Sequence, residues 1–134
     1  MISRLSFSAD QYREMLEHVS QQAPLEACGL LAGRDARVEK VIPVRNQAES
    51  PVRFVMDPYE QLQAFEWIDL HSLELLGIFH SHPAGPQTVS ATDIGEAAYA
   101  VVHLIWSRSG DAWNVRGFWI EQGQVQEVTL SLEE

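Results

Sequence analysis

The sequence predicts an α/β protein of the mixed α+β kind, a mixed β-sheet with helices packed on it. Three observations lead there. Stretches with helical spacing are interleaved with short apolar runs of strand length. The last three runs follow one another across brief turns, as in an antiparallel meander. Hydrophobic residues make up 46% of the 134 residues, enough for one packed core, so a single domain spanning 1–134 is expected.

The elements can be justified in chain order. Leu5 to Phe7 starts a short strand. Ser8, with Gln11 three positions on, opens a capping pattern, and Tyr12, Met15, Leu16 and Val19 follow at helical spacing, predicting an amphipathic helix over 9–22. Ala27 to Ala32 is an apolar run closed by Gly33, and Val38 to Val44 is its hairpin partner across Arg34-Asp35-Ala36. Val52 to Val55 reads as another strand. Asp57-Pro58-Tyr59-Glu60 is a helix start, with Asp as N-cap and Pro at the first helical position. That helix is expected to run to about residue 73, with Leu62, Phe65 and Ile68 or Asp69 near its inward stripe. Leu75 to His80 reads as a strand ending in a Pro/Gly-rich loop, 83–89. Ser90 then opens a short helix to about Tyr99. Strands over Val101–Ser107, Trp113–Glu121 and Val125–Leu132 complete the chain.

Charge and composition exclude several classes. Asp and Glu number 19 against 9 Lys and Arg, so phosphate backbones are repelled and binding to nucleic acid is not expected. The acidity serves solubility, or a partner with a basic face. No apolar run reaches the length of a membrane span, and no signal core follows Met1. Cys28 is the only cysteine, so no internal disulfide forms; it reads as a small buried apolar residue in a cytoplasmic protein.

The chemistry is concentrated in Gly77-Ile78-Phe79-His80-Ser81-His82-Pro83 and Ser90-Ala91-Thr92-Asp93. His80 and His82 are two apart, and on a strand both point to one face. Asp93, in the first turn of the next helix, can fold back over a loop stiffened by Pro83 and Pro86. Two imidazoles and one carboxylate match a catalytic zinc site with an open fourth position, about one Zn²⁺ per chain. Such an ion polarises a carbonyl and makes water nucleophilic at neutral pH. Glu26, at the entrance of an apolar strand, is the candidate general base. Ser90 is placed to donate its hydroxyl to a developing oxyanion. Each piece also has a plainer reading: Ser90 with Asp93 is a capping box, Glu26 a surface acid, and His18, His71 and His103 structural or solvent-facing residues.

Taken together, Glu26, His80-Ser81-His82-Pro83 and Ser90-Ala91-Thr92-Asp93 resemble the signature of the JAMM (JAB1/MPN/Mov34) metalloprotease family, with no departure at a signature position. Pro24-Leu25-Glu26-Ala27-Cys28-Gly29-Leu30-Leu31 and Phe54-Val55-Met56-Asp57-Pro58 are similar to small stand-alone prokaryotic members, and the likeness covers nearly the whole chain. The resemblance implies a curved mixed sheet flanked by helices, with cytidine-deaminase-like layering. It implies zinc on His80, His82 and Asp93, with Glu26 as acid/base and Ser90 stabilising the tetrahedral intermediate. It also implies hydrolysis of a peptide or isopeptide bond after the C-terminal tail of a ubiquitin-like or sulfur-carrier protein ending in Gly-Gly. Competing readings are a non-catalytic MPN-type scaffold, a RadC-like JAB domain, and a phage-tail or cell-wall peptidase. A zinc nucleoside deaminase needs cysteine ligands that one cysteine cannot supply.

Overall fold

The computed structural model describes residues 1–97 and 99–133. Among these described residues, seven strands and three helices follow in the order β1 (Arg4–Ser8), α1 (Ala9–Gln22), β2 (Cys28–Arg34), β3 (Arg37–Val44), α2 (Pro58–Leu70), β4 (Glu74–His82), α3 (Ala91–Glu96), β5 (Val102–Ser109), β6 (Ala112–Glu121) and β7 (Gln124–Glu133). The sheet is mixed, as the sequence predicts, and it curves until it closes, in the order β1-β3-β2-β4-β5-β6-β7. Closure comes from β1, which runs parallel to β7 over five residue pairs but meets β3 only at Ser6 and Arg37.

Local signals explain the elements. The Ser8 hydroxyl accepts from the Gln11 N–H, and the Gln11 side chain accepts from the Ser8 N–H, a reciprocal capping box that starts α1. Asp57 caps α2 by accepting from Tyr59 and Glu60, with Pro58 at the first turn. The β2–β3 turn places both Asp35 and Ala36 at positive φ, the geometry whose twist suits a two-residue hairpin.

Strand alternation divides the hydrophobics between two faces. Leu31, Phe79, Leu104 and Trp106 pack with Leu5, Phe7 and the α1 residues Met15 and Val19. On the other face, Cys28, Leu30 and Ile78 pack with Val44, Met56 and Ala64 of α2. His80 alternates with Ile78 and is paired with Cys28, which puts it on the α2 side.

Three expectations need correction. Val52 to Val55 is not a strand; only a single bridge, Asn46 to Met56, forms there. The buried Asn46 side chain supplies the backbone partners that a ladder would have given, accepting from Val55 N–H and donating to Arg53 C=O. The α2 helix ends at Leu70 and not near 73, and it buries Ala64 and Ile68 while Leu62 is 56% exposed. The third helix ends at Glu96, short of Tyr99; residue 98 lies outside the described residues.

Candidate metal centre

The end of β4 carries His80, Ser81 and His82 as a buried run. Because strand side chains alternate, the two imidazoles share one face and Ser81 points to the other. The Ser81 hydroxyl accepts from the Ala27 N–H at 2.8 Å, and the Ser81 N–H donates to the Ala27 carbonyl at 3.0 Å. This clamp fixes the entrance of β2 against the end of β4 and sets Glu26 beside the histidines. One ligand-type atom each from Glu26, His80 and His82 lies within 4.8 Å of the other two. Glu26 is held from its other side as well, since Asn46 donates to its carbonyl at 3.0 Å.

Asp93 arrives from α3. The capping box that gave it a plain reading is what aims it: Ser90 N–H donates to Asp93 Oδ2 at 2.8 Å, and Asp93 N–H donates to Ser90 Oγ at 3.0 Å. Asp93 Oδ1 then lies 3.1 Å from His80 Nε2, Oδ2 lies 3.2 Å from His82 Nε2, and the two Nε2 atoms are 3.0 Å apart. Ligand atoms about 2.0–2.1 Å from one tetrahedral ion stand about 3.3 Å from each other. The three side chains therefore have the spacing of a shared cation. His82 Nδ1 is 2.9 Å from the Pro86 carbonyl, which can only accept, so Nδ1 carries the proton and neutral His82 presents a bare Nε2 to the site. The group fits a metal.

The electrostatics follow from burial and from these contacts. Burial opposes charge on His80 and lowers its pKa. Burial acts the same way on His82, but hydrogen bonds to Asp93 and Pro86 outweigh it and push that pKa up. The Asp93 carboxyl, despite its burial, is held well below the usual carboxylate range by the two imidazoles. Glu26 is pushed up to about 7, by burial first, with His82 opposing the rise and Asp93 adding to it. A carboxyl at that value exchanges protons readily near neutral pH.

All five residues singled out in the sequence, Glu26, His80, His82, Ser90 and Asp93, are thus gathered at one place. Sequence reasoning missed the roles of Ser81, Asn46 and His103. His103 on β5 is buried, is paired with Ile78 and lines the same pocket as His80 and Asp93. Its alternation with Ile105 in an apolar strand was the available signal. Cys28 is buried, and its thiol is pushed up to about 12, chiefly by burial, as suits an inert packing residue.

A closed mixed sheet presenting two histidines and two carboxylates in this geometry defines a metal-dependent hydrolase. Residues 8–121 match the family described as prokaryotic homologs of the JAB domain, and the chain belongs to it. It is a JAMM-type protease. A desampylase from Pyrococcus furiosus is 37% identical over 138 residues, covering 98% of this chain and 96% of its own. A probable TtuB-protein conjugate cleaving protease from Thermus thermophilus is 41% identical over 118 residues, covering 87% of this chain and 75% of its own. The solution structure of a Desulfitobacterium hafniense protein superposes with a TM-score of 0.87 at 38% identity, covering 97% of this chain and 93% of that one.

Proposed function

We propose that the whole chain, 1–134, acts as one domain, a zinc-dependent isopeptidase. It hydrolyses the bond after the diglycine tail of a ubiquitin-like or sulfur-carrier protein. The observation that carries this is the convergence of His80, His82 and Asp93 at 3.0–3.2 Å with Glu26 beside them. The names of the Pyrococcus and Thermus relatives support the substrate class.

His80, His82 and Asp93 would hold the ion, and two nitrogens with one carboxylate suit Zn²⁺. Bound there, zinc supplies Lewis acidity toward a carbonyl and makes water nucleophilic at neutral pH. Glu26 accepts the proton from the attacking water and passes it to the departing nitrogen. Its raised pKa allows both halves of that transfer. Ser90 Oγ already accepts from Asp93 N–H, which leaves its own O–H to donate to the developing oxyanion. A net charge of −10 supports a protein partner over nucleic acid. No helix among the described residues is long and apolar enough to cross a membrane, and the lone buried Cys28 supports a cytoplasmic site of action.

The test is cleavage of a diglycine-tailed ubiquitin-like protein joined to a lysine side chain. Cleavage that disappears in His82→Ala and after chelation supports the reading. Partner binding indifferent to both treatments would favour a non-catalytic scaffold.

A further inference from the structure

A cavity of about 330 Å³ opens directly beside His80 and Asp93. Phe54, Met56, Ile78 and Tyr99 give it apolar walls, and the Phe54 ring stacks on His80 at 4.5 Å. A diglycine tail has no side chain with which to fill such a space. The group on the other side of the scissile bond is the one that can. The cavity runs from a buried end, at His80, Ile78 and His103, to an exposed rim where Val52 is 77% accessible. A lysine on a partner's surface could enter nitrogen first, lay its four methylenes along the apolar walls and keep its backbone outside.

The buried end carries a second, independent sign of a ligand. His103 is only 4% exposed, and its Nε2 has no hydrogen-bond partner among the described residues. A backbone hydrogen bond to Tyr99 engages the imidazole. With Nε2 unpartnered, that bond falls to Nδ1, which donates to the carbonyl and leaves a lone pair on Nε2. His103 pairs with Ile78 while His80 pairs with Ile105, so the two histidines are diagonal neighbours on one face of β4 and β5. Buried polar atoms without a partner are costly unless a ligand satisfies them.

We propose that this cavity is the leaving-group subsite, taking the aliphatic stem of an isopeptide-linked lysine, and that His103 Nε2 accepts a hydrogen bond from the scissile nitrogen as it departs. This rests on the isopeptidase reading above. In the step, a water oxygen bonds to the glycine carbonyl carbon and the carbon–nitrogen bond breaks. Both water protons end on the lysine nitrogen: Glu26 carries the first as the carbon–nitrogen bond breaks, and the second leaves the newly formed carboxyl group for the freed amine, giving a carboxylate and a lysine ammonium. His103 gains and loses no proton; it orients the nitrogen and stabilises its growing positive charge.

The experiment compares one diglycine-tailed protein joined either to the ε-nitrogen of Nα-acetyl-lysine or to aminomethylcoumarin, whose weakly basic nitrogen develops little charge. His103→Phe should lower kcat on the lysine substrate roughly 30-fold or more, with KM changed less than about 3-fold and coumarin release less than about 3-fold affected. His103→Gln, which keeps an acceptor, should restore part of the loss. Independently, Nα-acetyl-lysine titrated into the metal-free protein should shift the His103 ring and Met56 methyl NMR signals saturably. Equal losses on both substrates, or no shift at those signals, would overturn the subsite. If the wild type cleaves neither substrate, the isopeptidase reading fails, and the NMR titration still decides the cavity.

Discussion

Ala27 and Ser81 clasp each other twice: the Ala27 N–H donates to the Ser81 hydroxyl, and the Ser81 N–H donates to the Ala27 carbonyl. The residues are 54 positions apart, and each borders the chemistry. Glu26 precedes one, and His80 and His82 flank the other. The relative position of base and metal-holding imidazoles is therefore set by backbone registration, with the Ser81 side chain closing it.

Ser81→Ala leaves the buried Ala27 N–H without its partner. Such a loss costs about 1–3 kcal/mol. Chemical denaturation should show that drop, and kcat should fall more than KM because Glu26 loses its fixed distance. An unchanged stability and rate would show that the hydroxyl contributes nothing.

Glu26→Gln keeps the shape of the side chain and removes its proton transfer. Metal content should stay at the wild-type level while cleavage slows roughly 100-fold or more. Substantial activity in this variant would remove Glu26 from the mechanism.

His103 gives a pH signature. Its folded pKa is depressed to about 4, mainly by burial, against an ordinary value of 6.5. The unfolded chain binds this proton more readily, so the contribution is fully present above pH 6.5 and is lost as pH falls toward 4. At about 1.4 kcal/mol per pKa unit, the ceiling is about 3 kcal/mol. Glu26, raised to about 7 in the fold, acts with the opposite sign between pH 7 and its ordinary 4.5 and masks part of the loss in the wild type. The stability difference between metal-free wild type and His103→Phe isolates His103, and it should move against the wild type as pH drops from 7.5 to 4.5. A pH-independent difference would contradict a buried, neutral imidazole.

Cys28 should resist alkylation by iodoacetamide at pH 8, because its thiol is pushed up to about 12 and stays protonated in the fold. Labelling should track unfolding in denaturant. Rapid labelling of the native protein would contradict its burial.

Much of this was legible in the residues, for identifiable reasons. Caps are local, so Ser8 with Gln11, and Asp57 with Pro58, announced two helix starts that the fold shows. The His80-Ser81-His82 spacing and the Ser90–Asp93 box are also local, and both translate directly into geometry. What failed depended on distant partners. Asn46 replaces a ladder for Val55 and Arg53, which no pattern within 52–55 reveals. Leu62 looked inward on spacing, but the sheet meets α2 through Ala64 and Ile68. The closure of β1 on β7 joins the two ends of the chain, and the His103 pocket needs β4, β5 and the 52–56 segment together.

The most direct test is metal content, measured by atomic emission on protein purified without chelators, for wild type and Asp93→Ala. Wild-type protein should carry about one zinc per chain and the variant almost none, with both folded by circular dichroism. A folded wild type that takes up no zinc, or an Asp93→Ala variant that holds a full equivalent, would contradict a zinc centre on these residues.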